Sequence, residues 1–195
     1  MTSSTIQDPL GDLVVRAGAG DSHAANALVR ALLPRVFRVA QRVLHDAAEA
    51  EDVAQEAFIR AWKAAKTWKP GAAKFETWVH RVTLNLCFDR LRRRKRLVHE
   101  DAAPEQADDT ASAGDGMFDA QRSKRIRQAM EALPERQRAA IVLCHFEEMG
   151  NIEAAAALEV SIEALESLLS RGRRALRGAL LDEAAHWMGG IGEGG

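Results

Sequence analysis

The stretch FETWVHRVTLNLCFDRLRRRKR, residues 75–96, decides the fold class of this chain. At the helical spacing of about 100° per residue, one of its faces carries four apolar residues: Phe75, Val79, Val82 and Leu86. Its end carries six basic side chains in seven positions: Arg90, Arg92, Arg93, Arg94, Lys95 and Arg96. Like charges at this density destabilise a helix unless anions balance them. The stretch therefore predicts an amphipathic helix with a core face and a strongly basic end.

Helical periodicity extends through most of the chain, and no alternating Val/Ile run indicates a strand. The pattern predicts helices near residues 8–18, 22–45, 47–66, 75–96, 119–132, 134–147, 151–158 and 162–186. The predicted N-caps are Asp21 or Ser22 for the second helix, Asn151 and Ser161, and Pro134 suits the first position of a helix. Pro34 predicts a kink or break in the second helix.

The net charge of -1 hides a segregation of charge along the chain. Residues 1–99 hold 17 Lys and Arg against 10 Asp and Glu, whereas residues 100–119 hold seven acids and no base. Residues 100–117 are rich in Asp, Glu, Ala, Ser, Gly and Pro, a composition typical of a flexible linker. We therefore predict an all-α fold of two small helical domains, residues 1–99 and 118–187, joined by a flexible acidic linker at 100–117. The tail, residues 188–195, is predicted to be disordered.

Several function classes find no support in the sequence. No apolar run approaches the roughly 20 residues of a membrane span, and the N-terminus does not resemble a secretory signal, so we expect a cytoplasmic protein that is not itself in a membrane. Cys87 and Cys144 are expected to be reduced core thiols; a thiol or metal sensor that also uses His145 is the less favoured alternative. No catalytic motif or phosphate loop stands out, so we expect no enzyme activity, no small-molecule substrate, no metal and no cofactor.

The segment EDVAQEAFIRAW, residues 51–62, carries two stripes at helical spacing. One predicts core contacts, and its members are Ala54, Phe58 and Trp62. The other is mostly polar, and its members are Asp52, Gln55, Glu56, Ile59 and Lys63. The polar stripe is either a solvated face or a docking surface, and periodicity alone does not choose between them.

A second face of the helix at 75–96 carries Arg81, Asn85 and Arg92, with Trp78 and Phe88 beside it. This combination suits single-stranded nucleic acid, because aromatic rings stack on unpaired bases, an amide bonds a base edge and guanidinium groups hold phosphates. Two alternatives stay open. Trp78 and Phe88 are core residues in one, and in the other the acidic linker balances the basic run.

Residues 150–180, GNIEAAAALEVSIEALESLLSRGRRALRGAL, have the pattern of a helix-turn-helix with its turn at 159–161. The core side of the long helix is predicted to hold Ile162, Leu165, Leu169, Leu176 and Leu180, with Gly172 permitting close approach. The side chains predicted to point outward are Glu163, Glu166, Ser167, Ser170, Arg174 and Arg177. An ordinary helical hairpin is the alternative.

Taken in order, with ALPERQRAAIVL at 132–143, these segments resemble the extracytoplasmic-function (ECF) sigma factors of bacterial RNA polymerase. The resemblance implies a subunit without catalysis of its own that binds the core polymerase and recognises the −10 and −35 elements of promoter DNA. It also implies a stress-response regulon and an anti-sigma factor that covers the polymerase-binding surfaces. A stand-alone helix-turn-helix regulator is the competing hypothesis. The linker would allow the two domains to be clamped together or spread along polymerase.

The resemblance also implies roles for individual residues. The surface for the polymerase clamp helices would be Asp52, Gln55, Glu56, Ile59 and Trp62. The −10 and melting residues would be Trp68, Lys69, Lys74, Trp78, Arg81, Asn85 and Arg92, with a flipped base held by the loop at 66–74. Promoter phosphates would be held by Arg90, Arg93, Arg94, Lys95 and Arg96. The −35 element would be contacted by Ser161, Glu163, Glu166, Ser167, Ser170, Arg171, Arg174 and Arg177, and helices around 134–146 would meet the polymerase flap.

The chain departs from the family pattern at three positions. Glu159 stands where glycine is frequent, and Glu166 and Leu168 stand where many members have basic residues. Glu163 or Glu166 would either accept a hydrogen bond from a cytosine amino group or only favour the helix dipole, and both interpretations stay open.

Overall fold

The computed structural model describes residues 8–71, 73–100 and 117–189, and within these ranges every regular element is helical. The helices are α1 (Gly11–Gly18), α2 (Ser22–Leu44), α3 (Ala47–Ala65), α4 (Phe75–Glu100), α5 (Met117–Glu131), α6 (Glu135–Ile141), a π-helical segment (Val142–Phe146), α7 (Asn151–Leu158) and α8 (Ile162–Gly189). The all-α prediction is confirmed. The predicted linker and tail fall mainly on residues 101–116 and 190–195, outside the described ranges. The described helices include no candidate for a membrane-spanning segment.

Two of the three predicted N-caps are confirmed. Asp21 accepts hydrogen bonds from the backbone N–H groups of His23 and Ala24, and the Ser161 hydroxyl accepts one from Ala164. The Asn151 prediction is wrong, because Gly150 occupies the cap position and Asn151 is already the first helical residue. Pro134 lies one residue before α6 rather than at its first position.

The predicted break at Pro34 is absent, since α2 continues through that residue. A proline in a helix frees the carbonyl group four residues earlier, which here belongs to Arg30. Both Pro34 and Arg30 are exposed, so water can satisfy the freed carbonyl. Buried Leu32 and Val36 anchor the helix on either side of the proline.

Helices α1–α4 pack around a core that includes Phe75, Val36, Val53 and Leu84. The predicted core face of α4 is buried at Phe75, Val79 and Leu86, and Val82 is half-buried. The start of α4 is fixed by a residue distant in sequence, because Asp8 Oδ2 accepts a 2.9 Å hydrogen bond from the Phe75 N–H. Gly18 permits α1 to approach α3 closely, since a Cβ there would lie 2.2 Å from the Ala65 carbonyl oxygen.

The long helix α8 packs through Leu165 and Leu169, both of which are buried. Gly172 makes the predicted close approach, because a Cβ at this position would lie 2.7 Å from Ile141 Cδ1. Two predicted core residues are instead exposed, Ile162 by 40% and Leu180 by 39%. Ile162 is exposed because it is the first residue of α8, next to the turn. Leu180 is exposed because α8, with 28 residues, extends beyond the short helices α6 and α7 that cover its middle.

Helix α2 also contacts α6 and the π-helical segment, and α4 contacts α7. The buried guanidinium of Arg138 joins these two groups of helices. It donates to the Val43 carbonyl near the end of α2, and to the Glu131 and Leu133 carbonyls at 2.8 and 3.0 Å. The N-terminal and C-terminal helices therefore form one packed body in the described chain.

Candidate nucleic-acid interface

An aromatic cluster precedes and begins α4. The Trp68 and Phe75 ring centroids are 4.9 Å apart with nearly perpendicular planes, and Trp78 lies 5.8 Å from Phe75 in a stacked arrangement. Phe75 is fully buried, whereas Trp68 and Trp78 are half-buried. Trp78 therefore packs on the core through Phe75 and keeps part of its ring accessible. Lys69 is exposed in the adjoining loop.

The polar face of α4 brings Arg81 and Asn85 together, but it is already in contact with acidic groups from α7 and the turn after it. Asn85 Nδ2 lies 3.4 Å from Glu159 Oε2, and Arg81 Nη1 lies 3.6 Å from Glu159 Oε1. Lys74, just before α4, forms an ion pair with Glu153, and this contact raises the pKa of Lys74. Arg92 lies further along the helix and pairs with Asp89 of its own turn.

Phe88 is half-buried against the core rather than fully exposed. The guanidinium of Arg136, which belongs to α6, lies 5.9 Å from the centroid of its ring. Phe88 therefore belongs to the contact between the N-terminal and C-terminal helices in this structure.

Two members of the basic run hold α4 against α3. Arg94 donates to Asp46 at 2.7 Å and to Glu49 at 3.1 Å, and it also reaches the Leu44 carbonyl at 3.3 Å. Arg90 lies 3.4 Å from Asp52. The carboxylates of Asp46, Glu49 and Asp52 therefore offset part of the charge repulsion predicted for this run.

The remaining members of the run point away from α3. Lys95 pairs with Glu135 of α6 at 2.9 Å, and its side chain is 68% exposed. Arg93 and Arg96 are exposed and have no ion-pair partner among the described side chains. The run therefore divides into residues that brace the fold and residues open to a ligand.

The polar stripe of α3 is exposed except at Glu56, which is half-buried. Ile59 is 57% exposed and Trp62 41%, so the prediction of Trp62 as a core residue is wrong. Ala61 and Ala65 face the core instead, which turns the large indole outward. Gln55 is exposed and Glu56 pairs with Arg60 one turn later at 2.5 Å, while Asp52 keeps an exposed fraction of 63%. These residues form one surface with apolar and acidic groups side by side.

The start of α8 is built by local hydrogen bonds. Backbone and Ser161 hydrogen bonds lower the pKa of the Glu163 carboxyl at this helix N-terminus. The turn before it places Glu159 at φ 55°, a left-handed conformation that glycine adopts without cost. The helix-turn-helix prediction thus has the expected geometry, α7, a short turn and α8.

The outward face of α8 contains most of the predicted −35 residues. Arg171 donates to the Ser167 hydroxyl at 2.7 Å, which ties these two side chains to each other. The other members are exposed and have no side-chain ion pair within the described part of the chain: Glu163, Glu166, Ser170, Arg174 and Arg177.

Sequence reasoning missed a charged cluster that joins the two groups of helices. The Glu147 side chain, after the π-helical segment, is 1% exposed, and Arg38 approaches it with two nitrogens at 3.2 and 3.1 Å. Arg35 lies 3.4 Å and Arg42 3.8 Å from the same carboxylate. The sequence shows the three arginines at spacings of three and four on α2, which predicts a basic stripe. Their shared partner, Glu147, lies 109 residues beyond Arg38, so the sequence did not indicate the contact.

Three partly or fully buried groups, His45, Cys87 and Cys144, have shifted pKa values. Burial, and then the charges of Arg138, Arg127 and Arg94, lower the pKa of His45 to about 4. Burial raises the pKa of the Cys87 thiol to about 12 and also raises that of Cys144. Cys87 is fully buried and Cys144 half-buried, and raised pKa values make both thiols poor nucleophiles at neutral pH.

Comparisons with known proteins agree with this arrangement. Residues 28–97 match the family description Sigma-70 region 2, and residues 123–176 match Sigma-70, region 4. The ECF RNA polymerase sigma factor SigE of Mycolicibacterium smegmatis is 36% identical, over 87% of this chain and 67% of that protein. SigW of Bacillus subtilis, also an ECF RNA polymerase sigma factor, is 31% identical over 84% of this chain and 92% of its own length.

Solved structures share the fold. CnrH, in its complex with the cytosolic domain of CnrY, is 28% identical and superposes with a TM-score of 0.67 over 90% of this chain and 99% of that one. RpoE of Bartonella quintana, in complex with the anti-sigma factor NepR, has the same TM-score at 21% identity. Both sequence regions and the curated relatives lead to one conclusion: the chain belongs to the ECF RNA polymerase sigma factors.

Proposed function

We propose that this sigma factor uses α3 to bind the core RNA polymerase, α4 to read and open the −10 element, and α8 to contact the −35 element. The observation that carries this proposal is the joint presence, in one chain, of a polar and aromatic α4 and a helix-turn-helix. The chain would have no catalysis of its own and would act in the cytoplasm, where the polymerase transcribes.

The polymerase surface would be the exposed stripe of α3. Ile59 and Trp62 offer apolar area, and Asp52, Gln55 and Glu56 surround it with polar groups. Interfaces of this composition gain most from a few central apolar or aromatic anchors. A protein inhibitor would bind the same surface, and the complex of the similar protein RpoE with the anti-sigma factor NepR supports such an inhibitor.

The −10 function would divide between the two ends of α4. Trp78 would stack on an unpaired base and Asn85 would bond a base edge, with Trp68 and Lys69 at the adjoining loop. Arg93 and Arg96 would hold phosphates, because they are exposed and have no ion-pair partner among the described side chains. Arg90 and Arg94 would contribute mainly by fixing the helix.

The test is transcription in vitro with purified core polymerase on a cognate promoter. We expect transcription to depend on the protein, and Ile59→Ala to weaken core binding. Trp78→Ala should spare core binding and impair opening by about 1–3 kcal/mol, the value of one stacked base. Failure of the wild-type protein to bind core would contradict the proposal, and tight binding to closed duplex DNA without core would favour the stand-alone regulator.

A further inference from the structure

The start of α4 has no capping side chain among the described residues of the loop before it. Lys74, which precedes the first helical residue, carries three donors and no acceptor, so it cannot bond the free N–H groups of the first turn. Its positive charge is also unfavourable at a helix N-terminus. Glu76 lies in the first turn, but its carboxylate pairs with Arg35 and faces His80. An acceptor for this helix must therefore come from another part of the chain.

Asp8 lies 67 residues before Phe75 and supplies this acceptor. Its Oδ2 accepts a 2.9 Å hydrogen bond from the Phe75 N–H, and its Oδ1 accepts one of 3.1 Å from the Leu10 N–H. The Asp8 carbonyl oxygen accepts a third bond, of 3.0 Å, from the Gly11 N–H. One residue thus fixes the start of α1 and the start of α4 to each other, and it brings a negative charge to a helix N-terminus, where such a charge is favourable.

The other end of α1 lies against the end of α3. A Cβ at Gly18 would lie 2.2 Å from the Ala65 carbonyl oxygen and 3.1 Å from the Lys66 nitrogen, so this approach requires glycine. Ala65 is the last residue of α3, and the loop at 66–74 leads from it to α4. The segment that contains α1 therefore contacts both sides of this loop, through Gly18 at one end and Asp8 at the other.

The loop and the start of α4 carry the aromatic cluster described above. The N–H of Phe75 is held by Asp8, and its side chain is fully buried. Its ring contacts both tryptophans, with centroid distances of 4.9 Å to Trp68 and 5.8 Å to Trp78. The indole Nε1 of Trp68 is buried and makes no hydrogen bond to the described residues, so packing locates this side chain. The position of Phe75 therefore sets the positions of both tryptophan rings.

We propose that Asp8 is a positioning residue for promoter opening, because it caps α4 from a distance and thereby holds the aromatic cluster in place. This inference rests on the function proposed above, in which Trp78 and Trp68 meet unpaired bases. Asp8 itself would not contact DNA, since its carboxylate accepts two backbone N–H groups and a negative charge repels phosphates. Without the cap, the first turn of α4 would sample more conformations, and fewer molecules would present the rings to an opened strand.

Two simpler roles for Asp8 make different predictions. If it only stabilised the fold, its loss would weaken core binding and promoter opening alike. If it acted only by its charge, which adds to the contact with Glu153 in raising the pKa of Lys74, a neutral amide would be as harmful as alanine. A cap requires an acceptor oxygen but not a charge, and asparagine is as good an N-cap as aspartate.

The experiment uses the full-length protein with core polymerase and a cognate promoter, and it compares Asp8→Ala, Asp8→Asn and the control Asp12→Ala. Asp12 is exposed in the first turn of α1, and no hydrogen bond or ion pair joins its side chain to the described residues. Titration measures core affinity, and permanganate reactivity of −10 thymines measures the rate of opening. We expect Asp8→Ala to slow opening about fivefold at unchanged core affinity, a loss equivalent to one helix cap. Asp8→Asn and Asp12→Ala should stay within about twofold of the wild type.

A Trp78→Ala background identifies the route by which Asp8 acts. Trp78→Ala itself should slow opening, and addition of Asp8→Ala should slow it by less than about twofold more, because a ring that Asp8 positions is already absent. Four results would each overturn the inference: wild-type opening by Asp8→Ala, loss of core affinity and opening by the same factor, equal slowing by Asp8→Asn and Asp8→Ala, or full additivity with Trp78→Ala. If Trp78→Ala opens the promoter as the wild type does, the proposed role of α4 fails, and the inference fails with it.

Discussion

Helices α4 and α8, the two elements that we propose to contact promoter DNA, differ in the groups of the same chain that already contact them. The basic and polar groups of α4 face acids of the same chain, as Arg94 does with Asp46 and Asn85 with Glu159. On α8, Arg174 and Arg177 are exposed with no ion-pair partner among the described side chains. The density of charge on a helix therefore does not show whether that helix is free to bind DNA. Ion pairs within the chain can already occupy its charged groups.

The same difference exists within α4, between Arg94, which has internal partners, and its exposed neighbour Arg93. Arg94→Ala removes two charged hydrogen bonds and a backbone contact, so we expect it to lower the free energy of unfolding by about 1–2 kcal/mol. Arg93→Ala should change it by less than about 0.5 kcal/mol, and should reduce the salt dependence of DNA binding by about one counterion. Chemical denaturation and salt titration measure the two effects. Equal losses of stability would show that the ion pairs of Arg94 do not brace the fold.

The pKa of His45 provides a test of the packing at the end of α2, near Arg94, which holds α4 against α3. Its pKa falls to about 4 in the folded chain, below the ordinary value of about 6.5, so the unfolded chain binds the proton more readily. Stability should therefore decline as pH drops from about 6.5 towards 4, by about 1–2 kcal/mol after allowance for partial exposure.

The matched variant for this prediction is His45→Asn. Asparagine tolerates the left-handed backbone that His45 adopts at φ 55°. Denaturation measured over the pH window should show a smaller decline for the variant than for the wild type. Parallel curves for the two proteins would mean that His45 titrates normally in the fold.

The smallest expected effect concerns the turn that touches α4. Glu159→Gly should relieve the left-handed strain and stabilise the protein by about 0.5–1 kcal/mol, while it removes the carboxylate beside Arg81 and Asn85. Glu159→Gln removes the charge but keeps the strain. Thermal unfolding should therefore separate the two variants, and a glycine variant no more stable than the glutamine one would refute the strain assignment.

Patterns within one helix were predictable from the sequence, and contacts between distant segments were not. Periodicity placed Phe75, Val79 and Leu86 in the core, and turn chemistry identified Ser161 as a cap. The continuity of α2 at Pro34 goes with the exposure of Pro34 and Arg30 and the burial of Leu32 and Val36, which only the packed helix defines. Ile162 and Leu180 are exposed because the helices beside α8 are short. The periodic pattern within α8 carries no information about the lengths of those neighbouring helices.

The candidate site shows the same limit. The sequence placed Trp78, Arg81 and Asn85 along one side of a helix, and the structure brings Arg81 and Asn85 to the same carboxylate. It did not indicate that Glu159 would contact them, because the pairing of Asn85 with Glu159 spans 74 residues. The Glu147 cluster was missed for the same reason, since each partner alone resembles an ordinary surface charge.

Permanganate footprinting of promoter DNA with core polymerase tests directly whether α4 opens the −10 element. Wild-type protein should make −10 thymines reactive, and Asn85→Ala should lose most of that reactivity while it binds core normally. Ile59→Ala is the companion variant, and it should lose reactivity because core binding falls. An Asn85→Ala protein that opens the promoter as fully as the wild type would contradict the proposed role of Asn85 and α4.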